Sequence, residues 1–441
     1  MVERERKGDA SAGGYAHAMD EAHEEQRHVP LLKRLGPGLV TGAADDDPSG
    51  IATYSQAGAQ YGYGLLWSVL LTLPLMVGIQ TISARIGRVT GHGLAANIRD
   101  HYPAWLLHGI VSLLVVANTL NIAADLGAMG NALQLLLGGS SEIYIMFFAL
   151  LSLTLQIFVP FPRYAPFLKW MTLSLLGYVG TLMVVRIPWH EATLAALLPN
   201  LHWKAEYIAT LVAVLGTTIS PYLFFWQASQ EVEEQRATEG HEPLREAPHQ
   251  ADEHLRRIRI DTWIGMGFSN LVAACIMLTT AATLNAAGVT DISSAEQAAS
   301  ALRPIAGNFA FLLFALSIIG TGMLAVPVLA GSAGYAVAES FRWPIGLGLT
   351  LLEARGFYSV LSAATLIGVI IDFGNVDPIK ALIWSAVVNG VVAVPIMVIM
   401  MLLAVKPDVM GPFVVGRRLW LLGWVSTGVM FAAVVAMFAT M

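Results

Sequence analysis

From Leu35 to the C-terminus the chain alternates between long apolar runs and short polar interruptions. A helix that crosses a bilayer needs about 20 residues, whereas a spanning strand needs about 10 in strict alternation, so run length selects helices. The pattern predicts an all-α membrane protein with eleven transmembrane helices, at 36–60, 64–84, 105–137, 142–160, 166–187, 206–230, 260–286, 305–339, 356–372, 378–404 and 416–440. Residues 1–34 are rich in Glu, Arg, His and Lys. They read as a disordered tail, not as a signal peptide, which would need an apolar stretch behind its basic start. His17, His23 and His28 in that tail fit either a metal-collecting tract or incidental placement in a solvated segment.

Composition narrows the class. Of 441 residues 56% are apolar and 13% charged, against about 25% charged in an average soluble domain, which argues against a water-soluble enzyme. The single cysteine, Cys275, lies in an apolar run, so neither an intramolecular disulfide framework nor a thiolate metal cluster is available. The net charge of −6 says less than the placement of Lys and Arg, which should be in excess in cytoplasmic loops. With the spans above, every Lys and Arg except Arg186, Lys204, Arg303 and Lys380 falls on the side of the N-terminus. A missed or extra span would scramble that split. The N-terminus is therefore expected in the cytoplasm, the polar connection 231–259 on the same side, and the C-terminus outside.

Two spans are interrupted. Thr41-Gly42-Ala43-Ala44-Asp45-Asp46-Asp47-Pro48-Ser49-Gly50 places three carboxylates and a proline inside an apolar run. One acid at the bilayer centre costs about 3 kcal/mol on insertion scales, and Pro48 removes a backbone donor while disfavouring helical geometry at Asp47. Such a segment is tolerable where the helix unwinds and its freed carbonyls line a wet cavity. The plainer alternative is a loop between two short segments with the acids as caps, but Gly36 to Ala44 is too short to cross alone. In the sixth span, Gly216-Thr217-Thr218-Ile219-Ser220-Pro221-Tyr222 repeats the device of a polar residue before a proline. Five spans separate the two starts, so the second copy enters from the opposite side, the arrangement of a secondary transporter with an inverted repeat. The expected organisation is a cytoplasmic tail (1–34), a first repeat of helices 1–5 (35–204), a second of helices 6–10 (205–404, containing the connection 231–259), and an additional eleventh helix (405–441).

Unwound segments whose carbonyls face a cavity, with a carboxylate among them, suit a cation and not an anion. The candidate donors are Asp47, the carbonyl or hydroxyl of Ser49, the carbonyls of Gly50 and Thr217, and the Ser220 hydroxyl. All are hard oxygens, which suit Mg²⁺, Mn²⁺ or Ca²⁺; Mg²⁺ sheds water reluctantly and favours a roomy site with few protein ligands. The partners so implied are divalent metal ions and the lipid bilayer. Nothing in the chain calls for a cofactor, a nucleic acid or a protein partner.

These residues resemble the natural resistance-associated macrophage protein (Nramp) family of divalent-metal transporters over the whole region from Gly36 to the last span. The family's Asp-Pro-Gly-Asn is similar to Asp47-Pro48-Ser49-Gly50, followed by Ile51-Ala52-Thr53 and Ala57-Gly58-Ala59, and its Ala-Thr-Val-Met-Pro-His to Thr217-Thr218-Ile219-Ser220-Pro221-Tyr222. The resemblance implies a LeuT-type fold with a 5+5 inverted repeat, discontinuous helices 1 and 6, alternating access and metal-ion uptake. Departures accompany it. Gly50 stands where the family has an Asn ligand, and Ser220 where it has a Met sulfur, so the soft donor that favours transition metals is gone. The third-helix Asp-x-x-Glu linked to proton movement reads Asp125-Leu126-Gly127-Ala128, and two sixth-helix His positions read Tyr222 and Gln227. These substitutions, with Asn375-Val376-Asp377-Pro378-Ile379-Lys380-Ala381-Leu382 and Asn389-Gly390, resemble the bacterial Nramp-related magnesium transporters. That resemblance implies a bacterial plasma-membrane protein carrying partly hydrated Mg²⁺, with Mn²⁺ sharing the pathway and no proton coupling. The alternative within the family is a proton-coupled Mn²⁺/Fe²⁺ importer.

Other polar residues admit two readings. Asp125 fits a relay or a partner of the site, or a carboxylate satisfied by a neighbouring hydroxyl. Asp45 and Asp46 fit attraction of cations at the pore mouth better than ligation. Gln227, Gln230, Glu231 and Glu234 form either a polar stripe or a solvated helix end. Asn389 reaches the cavity or bonds a facing helix. A sodium-coupled organic-solute symporter on the same scaffold is the rival from another class; an enzyme is disfavoured, since neither a His-Glu-x-x-His site nor a serine elbow with convincing partners is present.

Overall fold

The computed structural model describes residues 37–160, Arg163, 173–374 and 377–441. The tail 1–34 with its histidines, the start of the fifth span, and Asn375 and Val376 lie outside the described residues. Within them the regular structure is helical: α1 (Pro37–Asp45), α2 (Pro48–Tyr61), α3 (Leu66–Thr90), α4 (Leu94–His101), α5 (Ala104–Leu137), α6 (Ser141–Phe158), α7 (Leu176–Val184), α8 (Trp189–Leu197), α9 (Ala205–Thr218), α10 (Pro221–Ala237), α11 (Ala251–Thr283), α12 (Ala310–Ser340), α13 (Arg355–Asp372), α14 (Pro378–Ala404) and α15 (Arg417–Thr440), with short helical turns between. Nine segments among the described residues are long and apolar enough to cross a membrane, α9 and α10 together forming one of them. The first predicted span is the pair α1 and α2, and the described part of the fifth contains α7. Each of the eleven predicted runs thus has a helical counterpart.

Both breaks fall at the prolines. Pro48 and Pro221 occupy the first turn of α2 and α10, where a missing N–H costs nothing. Asp47 caps α2, its carboxylate accepting from Gly50 N at 2.7 Å. Close crossings hold the broken segments in place. A Cβ added at Gly42 would lie 2.3 Å from the Gly265 backbone, so α1 rests backbone to backbone on α11. One added at Gly216 would lie 2.1 Å from the Ala386 carbonyl and 2.5 Å from Gly390 N, so α9 sits equally close on α14.

The polar connection is shorter than the sequence suggests. Instead of 231–259, only residues 238–250 join α10 to α11, because both helices continue past the expected ends. Their polar faces meet each other: Arg257 pairs with Glu231 at 2.5 Å and with Glu234 at 2.8 Å. Glu231 and Gln227 are fully buried, so the stripe on α10 is an interface and not a solvated helix end. The connecting helices α4 and α8 carry no long apolar run and were not expected.

Candidate cation site

Asp47 is the centre of the polar residues between the two breaks. It is 2% exposed. One carboxylate oxygen is taken by Gly50 N; the other accepts from Asn121 Nδ2 on α5 at 3.0 Å and from the Tyr222 hydroxyl on α10 at 3.4 Å. Tyr222 also donates to the Ala44 carbonyl at 3.1 Å, fastening the start of α10 to the end of α1. Asn389 on α14 donates to Asn121 Oδ1 at 3.2 Å, and Asn121 Nδ2 lies 3.5 Å from Asp125 Oδ2. A chain of polar side chains therefore runs from the first break across α5 to α14. The Asn389 Oδ1 and Asp125 Oδ1 atoms are buried without a hydrogen-bond partner.

The two breaks meet at Gly50, where an added Cβ would stand 3.2 Å from Thr217 Oγ1. Tyr54 on α2 bonds Thr218 Oγ1 at 2.9 Å beside it. The other predicted donors are spoken for in part. The Ser220 hydroxyl turns back along α9 to the Gly216 carbonyl at 2.9 Å and the Thr217 carbonyl at 2.8 Å, leaving that carbonyl its second lone pair. The Ser49 hydroxyl donates to the Leu382 carbonyl at 2.7 Å and lies 3.1 Å from Ser385 Oγ, so it ties α2 to α14. Asp45 and Asp46 are buried rather than at a mouth, both against the Ser269 hydroxyl of α11, at 2.5 and 3.1 Å. Gln227 lies one helical turn and more beyond Tyr222 and bonds Gln80 on α3 at 2.6 Å and Thr262 on α11 at 3.2 Å. Among the described residues no three His, Cys, Asp or Glu side chains are grouped to hold a resident metal. What converges is one carboxylate with amide, hydroxyl and carbonyl groups, all hard donors.

A family model described as natural resistance-associated macrophage protein-like matches residues 38–440. The chain belongs to the Nramp family. Nramp relatives include proteins named divalent metal cation transporter MntH. That of Acidiphilium cryptum is 30% identical over 368 residues, 80% of this chain and 78% of that protein. That of Deinococcus radiodurans is 27% identical over 443 residues, 96% and 93% of the two chains. Among solved structures, the Eremococcus coleocola manganese transporter superposes with a TM-score of 0.70 at 18% identity, covering 91% of this chain and 85% of that one. Mhp1, a nucleobase-cation-symport-1 transporter, gives 0.54 at 12% identity, covering 92% of each. The Nramp fold, of LeuT type with discontinuous first and sixth helices, is the one described above, and this family consists of transporters, not enzymes.

Sequence reasoning missed three contributors: Asn121, Ser269 and Gln80. Asn121 had a visible signal, since it stands one helical turn before Asp125 in an otherwise apolar span. Ser269 and Gln80 had none beyond being polar in a span.

Proposed function

We propose that this Nramp-family chain carries divalent metal cations across a bacterial plasma membrane by alternating access, with Asp47 as the one charged ligand and the carbonyls of Ser49, Gly50 and Thr217 and the Ser220 hydroxyl as hard partners. Mg²⁺, partly hydrated, is the favoured cargo, and Mn²⁺ shares the path. The observation that carries this reading is the chemistry of the two breaks: Gly50 N, Asn121 and Tyr222 meet the Asp47 carboxylate, Thr217 faces Gly50, and neither 45–50 nor 217–222 contains a sulfur or an imidazole. Hard oxygen sites discriminate poorly against abundant hard cations, and Mg²⁺ retains several waters at a site with few protein ligands. The N-terminus lies in the cytoplasm and the C-terminus outside, following the Lys and Arg distribution. Residues 35–204 and 205–404 form the two inverted repeats, and 405–441 the added helix.

Transport proceeds without protons in this reading, because the imidazoles and the second carboxylate of the usual relay are replaced by Tyr222, Gln227 and Ala128. The rival, a proton-coupled Mn²⁺/Fe²⁺ importer, draws support from Asp125, a buried carboxyl with an unpartnered oxygen near Asp47. Purified protein in liposomes with a lumenal pH dye separates the two. Influx of Mg²⁺ and Mn²⁺ with an unchanged lumenal pH is expected; acidification in step with metal entry would establish the rival.

A further inference from the structure

A cavity of about 340 Å³ opens where the end of α10, the helix α4 and the segment after α12 come together. Its charged lining is Arg99, Arg236, Glu339 and Arg342, with His92 at one edge. The acids nearby are already engaged. The Glu339 carboxylate accepts from Ala96 N in the first turn of α4 at 3.0 Å and from the Ser229 hydroxyl at 3.4 Å. Asp100 pairs with Arg99 at 2.8 Å, and Arg99 also donates to the Glu339 carbonyl. Glu233, behind them, takes the Tyr335 hydroxyl and Leu347 N. Two guanidiniums have only long polar contacts, although Arg236 also faces the charges of Glu233 and Glu339. Arg236 reaches the Gly91 carbonyl only at 3.5 Å, and Arg342 stands 3.6 Å from Asp100 with its side chain 76% exposed. His92 presents its other ring nitrogen, having used Nδ1 on the Thr90 carbonyl at 2.9 Å.

Arg342 is the one non-glycine with positive φ among the described residues, at +58°. It follows the C-cap of α12 in a Schellman turn, with Trp343 N bonded to the Ala338 carbonyl at 2.8 Å and Arg342 N to the Glu339 carbonyl at 3.3 Å. Glycine is the residue that fits this position without strain. An arginine there is costly to the fold, and strain of this kind marks a side chain wanted for its chemistry. Beside it Phe341 and Trp343 stack with centroids 5.2 Å apart while remaining exposed, and Trp105 is also exposed, as in the aromatic belt at a membrane–water boundary.

We propose that this cavity binds the phosphate headgroup of an anionic phospholipid, held by Arg236 and Arg342 with Trp343 against its glycerol region. Basic pockets between helices at the boundary recognise such headgroups, and the planar guanidinium fits a phosphate bidentately. The aromatic belt favours a lipid over a free phosphate compound of the same chemistry. The inference is independent of which metal is carried.

The test uses full-length protein with phosphatidylglycerol, phosphatidylcholine or millimolar inorganic phosphate, read by native mass spectrometry and by melting temperature in detergent. Phosphatidylglycerol should be retained and should raise the melting temperature; phosphatidylcholine and inorganic phosphate should do neither. Arg342→Gly relieves the backbone and should melt no lower than the parent without lipid, yet lose most of the phosphatidylglycerol response. Combined with Arg236→Gln, retention should fall about thirtyfold, the share of two cationic groups. Unchanged retention in the double variant would overturn the proposal, and an equal response to inorganic phosphate would replace the lipid with a soluble phosphate ligand.

Discussion

Asp47 has both carboxylate oxygens engaged, yet only one group fixing it is its own helix cap; Asn121 and Tyr222 come from other helices. On the proposed reading, removing the carboxylate deletes the one charged ligand of a buried cation, and leaving a buried ion without its partner costs about 3–5 kcal/mol. Asp47→Ala should therefore abolish Mg²⁺ and Mn²⁺ flux in liposomes, by more than about a hundredfold, while the protein still elutes as a folded species. Residual flux near the parent level would move the ligand elsewhere. Asn121→Leu is subtler: it leaves one Asp47 oxygen with Tyr222 alone and takes the acceptor from the Asn389 amide, at about 1.5–3 kcal/mol for a hydrogen bond to a charged group. Apparent metal affinity should fall about tenfold or more in the same flux assay, with a smaller loss of maximal rate. Ser220→Met returns a soft donor to the second break and should move the Mn²⁺ over Mg²⁺ preference upward by about tenfold, measured as competition between the two ions. Gly50→Asn alone should perturb the fold more, since its Cβ already meets Thr217 Oγ1 at 3.2 Å.

At the scale of elements, the breaks were legible and their neighbours were not. Pro48 and Pro221 each follow a polar residue, Asp47 and Ser220, and α2 and α10 begin there, whereas Pro74, Pro327 and Pro395 follow apolar residues and lie inside unbroken α3, α12 and α14. The polar run after Gln230 misled because polarity was read as solvation: Glu231 and Glu234 on α10 and Arg257 on α11 are charged, but they satisfy each other across the helix pair. Only packing decides between those outcomes. The same holds for Asn121, whose partner Asp47 is 74 residues away in the chain. Small residues, by contrast, mark where two helices touch. Gly216 lies against Ala386 and Gly390 with no room for a methyl group. Gly216→Ala should cost about 1–3 kcal/mol through overpacking. It should lower the melting temperature in detergent, and Gly216→Leu should prevent recovery of monodisperse protein. An alanine variant that melts like the parent would mean that α9 and α14 are free to separate.

The whole molecule sorts its connections to two ends. Arg245 in the connection 238–250 donates to the Asp408 and Val409 carbonyls at 2.9 and 3.2 Å, joining it to the segment between α14 and α15. Arg99 in the last turn of α4 reaches the end of α12, so these loops and the cavity lined by Arg99, Arg236 and Arg342 gather at one end. At the other, Gln56 of α2 bonds the Thr290 carbonyl and Ile292 N, at 3.2 and 2.9 Å. In the orientation proposed above, the arginine-rich end faces the cytoplasm. Introduced cysteines report this with little background, because the native Cys275 is buried. Asp291→Cys and Glu239→Cys both fall at exposed positions, on opposite ends. In intact cells a membrane-impermeant maleimide should label Asp291→Cys at once and Glu239→Cys only after permeabilisation. The reverse pattern would invert the molecule in the membrane. It would then place the basic cavity in the outer leaflet, and with it the lipid it draws on, while leaving the Asp47 site untouched, since that site lies between the two ends whichever way the chain is inserted.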